Sequence, residues 1–382
     1  MRALRGLPAS GRSPSRVQSK SEVLAGAIRR SDYFRGRSLL APGVPGYKEW
    51  TYFCVAAPDV DLLLTFGWTE RILSGVKRTE PIGRVIALAR ERDGSWHGDA
   101  DEIPNRDVDV AHGRIDVAMG RSHVRFRSGR YEVDAALASE EVEAKLVFQP
   151  LALPTLGTSV RLGACEPMRW VVVPRLSAWG EIIVRGRRSA IREAPAYHDH
   201  NWGTFYWGAD FAWEWASIPP GPDARWSVVY SRISDRTRGR TLSQAILVWR
   251  DDESCRTFRD DEVEVEALGL LRGGARLRIP RVMSLAEPGS TADLPREIVA
   301  RAERGPDRIE VRLALEDYAE IAVPNESRSL DTTLLCEARA DAQVAGRIGG
   351  EDLAVRTAAV FELNQGARAP DLWSAPSHHD FA

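Results

Sequence analysis

The sequence predicts an all-β protein, two antiparallel barrels or sandwiches packed together with very little helix. Three observations carry this. From Trp50 onward apolar residues recur every second position, turn signals separate the runs, and sustained helical periodicity is nearly absent. A length of 382 residues suits two such domains, each burying one face of its sheet.

In chain order, Arg2, Arg5, Arg12, Arg16 and Lys20 precede the first acid, Glu22, with no apolar stretch of the kind a secretory signal needs. A disordered arm is expected there, an organelle transit peptide being the alternative. Ser21 to Arg30 should form a short helix capped by Ser21, with Val23, Leu24 and Ile28 on one side. Ala41-Pro42-Gly43-Val44-Pro45-Gly46 reads as a linker. Residues 1–45 are therefore arm, helix and linker. The strands that follow alternate clearly at Ile115-Val117-Met119, Val142-Ala144-Leu146-Phe148 and Ile309-Val311-Leu313-Leu315. Arg92-Asp93-Gly94, Arg272-Gly273-Gly274 and Gly349-Gly350 supply turns. Ile218-Pro219-Pro220-Gly221-Pro222-Asp223 is the expected break, because consecutive prolines cannot continue a ladder. The domains then run 46–218 and 219–370, with a tail at 371–382.

Composition narrows the function. A 43% hydrophobic and 28% charged chain of net charge −2 is globular and lacks the basic field that draws nucleic acid. No apolar run reaches the roughly 18 residues of a membrane span, although transient contact with a membrane to collect an apolar substrate is compatible. Cys54, Cys165, Cys255 and Cys336 are dispersed and form no C-x-x-C pair. Reduced thiols and a cytoplasmic location are expected. Dinucleotide, P-loop and serine-hydrolase motifs are missing, so no cofactor is expected.

One stretch concentrates the chemistry. Tyr197-His198-Asp199-His200-Asn201-Trp202-Gly203 leads into Tyr206-Trp207 and Phe211-Ala212-Trp213-Glu214-Trp215. Strand alternation puts His198 and His200 on one face and Asp199 on the other. An H-x-H pair can begin a metal site, but the glutamate a jelly-roll site would want a few residues on is replaced by Asn201 to Phe205, so no metal is expected. Asp199, the imidazoles, Tyr197 and Asn201 offer an acid, bases and orienting donors within five residues. Trp202, Trp207, Trp213 and Trp215 could dry the acid and hold its proton, whereas nearby imidazolium would have the opposite effect. Alternation sets Phe211, Trp213 and Trp215 on one face, where rings can stabilise a carbocation by about 1–2 kcal/mol each when desolvated, and turns Glu214 away. A purely structural core has no use for five consecutive polar side chains that each need a partner when buried.

The run Tyr197–Gly203 with its aromatic sequel resembles the signature of the carotenoid 1,2-hydratase (hydroxyneurosporene synthase)/AttH-like family, over about Trp50 to Trp249. That resemblance implies two lipocalin-like (calycin-type) β domains with a ligand cavity between or within them. It also implies cofactor-free hydration of a terminal isoprenoid double bond, with Asp199 as proton donor and Tyr197 beside it. Related folds carry tocopherol cyclisation and intramolecular Diels–Alder chemistry. The family's upstream His/Trp pair is represented only by Trp170, in Met168-Arg169-Trp170-Val171, without an imidazole.

The expected function is a cofactor-free hydratase or cyclase of isoprenoid or specialised metabolism acting on an apolar carotenoid, terpenoid or polyketide-like molecule. Asp199 protonates a C=C bond, His198, His200 and Tyr197 relay the proton, and Asn201 orients its neighbours. Trp170, Trp202, Tyr206, Trp207, Phe211, Trp213, Glu214 and Trp215 would line the substrate. A pericyclase acting on a polyketide product and a non-catalytic carrier of an apolar ligand are the alternatives.

Overall fold

A computed structural model describes residues 19–35, 46–72, 79–111, 113–157, 160, 168–205, 211–220, 225–235, 238–271, 275–280, 293–324 and 332–366. Among them α1 (Lys20–Ser31) is followed by β1 (Tyr47–Ala56), β2 (Val60–Ile72), β3 (Thr79–Glu91), β4 (Trp96–Pro104), β5 (Val108–Val110), β6 (Asp116–Met119), β7 (Ser122–Arg127), β8 (Arg130–Ala136), β9 (Val142–Pro150), β10 (Thr155–Leu156), β11 (Arg169–Val184) and β12 (Arg187–Thr204). Then come β13 (Ala212–Ile218), β14 (Trp226–Ser234), β15 (Thr241–Arg250), β16 (Glu253–Arg259), β17 (Val263–Leu268), β18 (Ala275–Ile279), β19 (Glu297–Arg304), β20 (Asp307–Pro324), β21 (Thr332–Ile348) and β22 (Glu351–Gly366).

The strands form two sheets, as the period-two pattern requires. The first runs β4-β3-β2-β1-β12-β11-β9-β8-β7-β6-β5, with β10 against β11. The second runs β16-β15-β14-β13-β22-β21-β20-β19-β17, and β18 lies parallel to β20, the one parallel pairing among the described residues. Both sheets curl until their ends approach, β4 reaching β9 in the first and β16 reaching β19 in the second. Each encloses its own core, containing Phe53, Leu64, Tyr131 and Phe148 in the first and Tyr230, Phe258, Leu313 and Phe361 in the second. The residues expected to alternate at 115–119, 142–148 and 309–315 point into these cores.

A third apolar cluster forms where the outer faces of the two sheets meet, around Tyr52, Trp170, Tyr197, Trp213, Trp215 and Trp249. Burying each large side chain stabilises by about 1.5–3 kcal/mol, so the two sheets are held as one body. Polar clamps flank this cluster. Arg90 donates to both Asp317 carboxylate oxygens at 2.7 Å, Trp96 Nε1 donates to Asp317 Oδ1 at 2.7 Å, and Arg339 pairs with Asp61.

Three expectations shift. The chain changes sheets between β12 and β13, before the proline run, because Ala212–Ile218 bonds β14 and β22; Pro219 and Pro220 fall between two strands of one sheet. The helix cap is Ser19 rather than Ser21, with Glu22 reaching back to Ser19 N at 2.9 Å in a capping box. Leu24, Ala25 and Ile28 are its buried residues, whereas Val23 is exposed, one position off the buried stripe. The Arg272–Gly274 turn, most of the 41–46 linker, the basic arm up to residue 18 and the tail lie outside the described residues. Among the described residues no helix is long and apolar enough to cross a membrane.

Candidate active site

The hairpin that carries the site turns at Arg185-Gly186, both in the left-handed region (φ 49° and 82°), as a tight two-residue turn between twisted strands demands. From it β12 runs between β11 and β1, so its end is central in the sheet and wholly covered. Along that end the alternation sends Tyr197, Asp199 and Asn201 outward to the second sheet and His198, His200 and Trp202 inward.

On the outward face Asp199 stands in register with Tyr52 on β1 and Val172 on β11, and Asn201 with Trp50 and Trp170. Tyr197 Oη donates to Asp199 Oδ2 at 2.8 Å and Asn201 Nδ2 donates to Oδ1 at 2.9 Å. Asp199 is 5% exposed. Burial pushes its carboxyl up to about 6; the Tyr197 hydrogen bond, the nearby Trp170 indole and the His198 and His200 charges act in the opposite direction. The residual exposure opens into a cavity between the sheets, lined by Trp50, Tyr52 and Trp170 from the first and Trp213, Trp215 and Glu362 from the second. Its space, open mouth included, is about 610 Å³. Trp170 Nε1 and Trp215 Nε1 are buried beside it, the first directed at Asp199 and the second at Tyr197. A second chamber of about 670 Å³, mouth included, shares Trp50, Tyr52, Trp213 and Glu362 with the first and extends toward Trp68 and Ile86.

The inward face is a different environment. His198 Nε2 and His200 Nδ1 each lie 2.9 Å from Asp32, just after α1, and His200 Nε2 lies 3.0 Å from Glu49 Oε1. His198 Nδ1 faces the Tyr52 carbonyl at 2.9 Å. Tyr131 Oη donates to Asp32 and Tyr47 Oη donates to Glu49, at 2.5 and 2.6 Å. Burial alone would raise Asp32, but attraction to His198 and hydrogen bonds from both imidazoles hold it below the carboxylate range. His200 is shifted up: burial disfavours its charge, and the hydrogen bonds to Asp32 and Glu49 outweigh that. Phe34 stacks on His200, and the Arg35 guanidinium lies 3.4 Å over Trp202. Neither imidazole, nor Trp202, reaches the cavity.

The sequence-derived residues therefore divide. Asp199, Asn201, Trp170, Trp213, Glu214 and Trp215 line the cavity, and Tyr197 touches it through Asp199. Phe211 backs Trp213 with ring centroids 5.4 Å apart. The Glu214 carboxylate turns into the second sheet, as alternation requires, accepting from Tyr230 Oη at 2.8 Å and pairing with Arg238. His198, His200 and Trp202 are the correction: one strand cannot aim adjacent side chains at one cavity. Tyr206 and Trp207 lie outside the described residues. Trp50, Tyr52, Glu337 and Glu362 escaped sequence reasoning. The signal for the glutamates was an acid inside each apolar run, Leu334-Leu335-Cys336-Glu337-Ala338 and Val360-Phe361-Glu362-Leu363.

Among the described residues no group of three or more His, Cys, Asp or Glu side chains is arranged to hold a metal ion. No protein-family model matches the sequence, and no curated protein matches it by sequence. Solved structures do share its fold. An AttH-type protein from Nitrosomonas europaea superposes with a TM-score of 0.61 at 15% identity, over 88% of this chain and 98% of that one. Kievitone hydratase from Nectria haematococca gives 0.55 at 10% identity, over 87% and 96%. CghA with Sch210972 gives 0.54 at 14%, over 87% and 97%. The chain thus has an all-β, lipocalin-like fold shared with these structures.

Proposed function

We propose that this protein is a cofactor-free hydratase or cyclase that protonates a C=C bond of an apolar, unsaturated substrate held between its two sheets. One observation carries the reading: a carboxyl group raised to about 6, buried and oriented by Tyr197 and Asn201, opens into an aromatic cavity between the sheets. Such an acid keeps its proton in mildly acidic solution and can donate it. Trp50, Trp170, Trp213 and Trp215 offer π faces to the cation. Of the proteins sharing the fold, one is by name a hydratase, which supports this class of reaction. The imidazoles hold the first sheet's interior and take no part in proton transfer.

Kievitone and an acyclic carotenoid, incubated with the protein in heavy water, test the reading. Wild type should place solvent deuterium on a product carbon, and Asp199→Asn should not, while still binding the probe by tryptophan fluorescence.

The joined chambers also favour a second reading. A pericyclase would use them to hold an elongated polyene folded, with Asp199 hydrogen-bonding its carbonyl, so that catalysis is orientation. A cyclised product free of carbon-bound deuterium would select it; ligand recovered unchanged from both proteins would select the carrier.

A further inference from the structure

Opposite Asp199 the second sheet presents a polar patch that the reading above does not use. Glu362 on β22 is in register with Trp215 on β13 and with Glu337 on β21. Glu337 is buried and Glu362 half-buried on the face that meets the first sheet, and Glu362 lines both chambers. Trp213 Nε1 donates to Glu362, and Tyr52 Oη, from the strand next to Asp199, donates to Glu337 at 3.3 Å. Among the described residues neither acid has a basic partner; Arg339, two positions along the strand, is engaged by Asp61. Two acids side by side, one buried and one half-buried, cannot both ionise cheaply, so they hold a proton between them. Burial, then the neighbouring carboxylate, pushes Glu337 far up; burial raises Glu362 less, so the pair's negative charge sits on Glu362.

A second observation points to an occupant. Asn364 lies in register between Trp213 and Leu335, two residues from Glu362 on the same face. It is fully buried, and both polar atoms of its carboxamide lack a partner among the described residues. A buried carboxamide with neither bond made calls for a small polar guest, and water supplies both a donor and an acceptor.

We propose that Glu362, supported by Glu337 and Asn364, is the general base that activates the water capturing the cation. This rests on Asp199 being the acid. In the first step the Asp199 O–H bond breaks as its proton forms a C–H bond with the alkene, leaving a carbocation and a carboxylate. A water lone pair then forms the C–O bond while one water proton passes to Glu362, so the pair goes from one proton to two. The added proton returns to the Asp199 carboxylate through water in the cavity. The sum is alkene plus water giving alcohol, with both acids restored.

The test compares Asp199→Asn and Glu362→Gln on the same two probes in heavy water, following alcohol formation and deuterium in recovered alkene. Glu362→Gln should lower alcohol formation by roughly tenfold or more and still exchange deuterium into the alkene, because Asp199 still protonates it. If Glu362→Gln does not fold, Glu362→Asp, which keeps the charge and shortens its reach, should show the same split. Unchanged hydration in Glu362→Gln overturns the proposal, as does loss of exchange and hydration together in a variant that melts like wild type. If wild type exchanges no deuterium and Asp199→Asn changes nothing, the acid role of Asp199 fails first and takes the base with it.

Discussion

Asp199 and Asp32 are both buried carboxyl groups, on opposite sides of one strand, and their acidities move in opposite directions. Asp199 faces indoles, a phenol and a carboxamide, and burial wins: its pKa climbs to about 6. Asp32 is buried more completely, yet two imidazoles bond it and keep it ionised. Depth of burial therefore says little about a carboxyl group until its partners are named. The inward network ties the segment after α1 to β12 and is built for stability. The outward one keeps a proton available beside an empty, aromatic space, at some cost to stability.

Four measurements sharpen that contrast. Asp199→Asn should lower turnover by roughly 10²–10⁴-fold with probe binding retained; a loss below about tenfold would remove Asp199 as proton donor. Asp32→Asn should instead leave the cavity intact and destabilise the fold by about 3–5 kcal/mol in urea at neutral pH, since it strands a buried imidazolium. Its folded pKa lies below the unfolded value near 3.8, so that stability is present above pH 4 and is lost on further acidification.

Asp199 has the reverse linkage. Its folded pKa lies above the unfolded one, so its ionisation costs stability as pH rises from about 4 through 6. Asp199→Asn should then be more stable than wild type by about 1–3 kcal/mol at pH 8 and nearly equal at pH 4, measured by urea melts at both. An equal difference at the two pH values would contradict the assigned shift. The smallest expected effect is Tyr197→Phe. Removing the phenol that favours the carboxylate should move the alkaline limb of the rate profile, which falls as pH passes about 6, upward by about one unit.

Much of this was legible before folding. Alternation at 142–148 and 309–315 identified the two cores, and the adjacency of His198 and Asp199 on a strand showed that they must part company. The same rule, applied strictly, also excludes His198 and His200 from Asp199 chemistry and sends Trp202 with them. Glu337 and Glu362 were visible as acids in apolar runs, but nothing local indicates that they pair in register and face Asp199. Asp32 carried no signal, because its partners lie on a strand more than half the described first sheet away in sequence.

What the sequence determined by itself was the period of two, and with it which residues share a face: Tyr197 with Asp199 and Asn201, His198 with His200 and Trp202, Trp213 with Trp215. Alternation is a property of the extended backbone and needs no partner strand. Only the tertiary structure decided which of those faces met a core, a helix or a cavity. The curl of each sheet and the packing of one on the other set how much water, and which charges, reach each carboxyl group, and that sets where its proton resides.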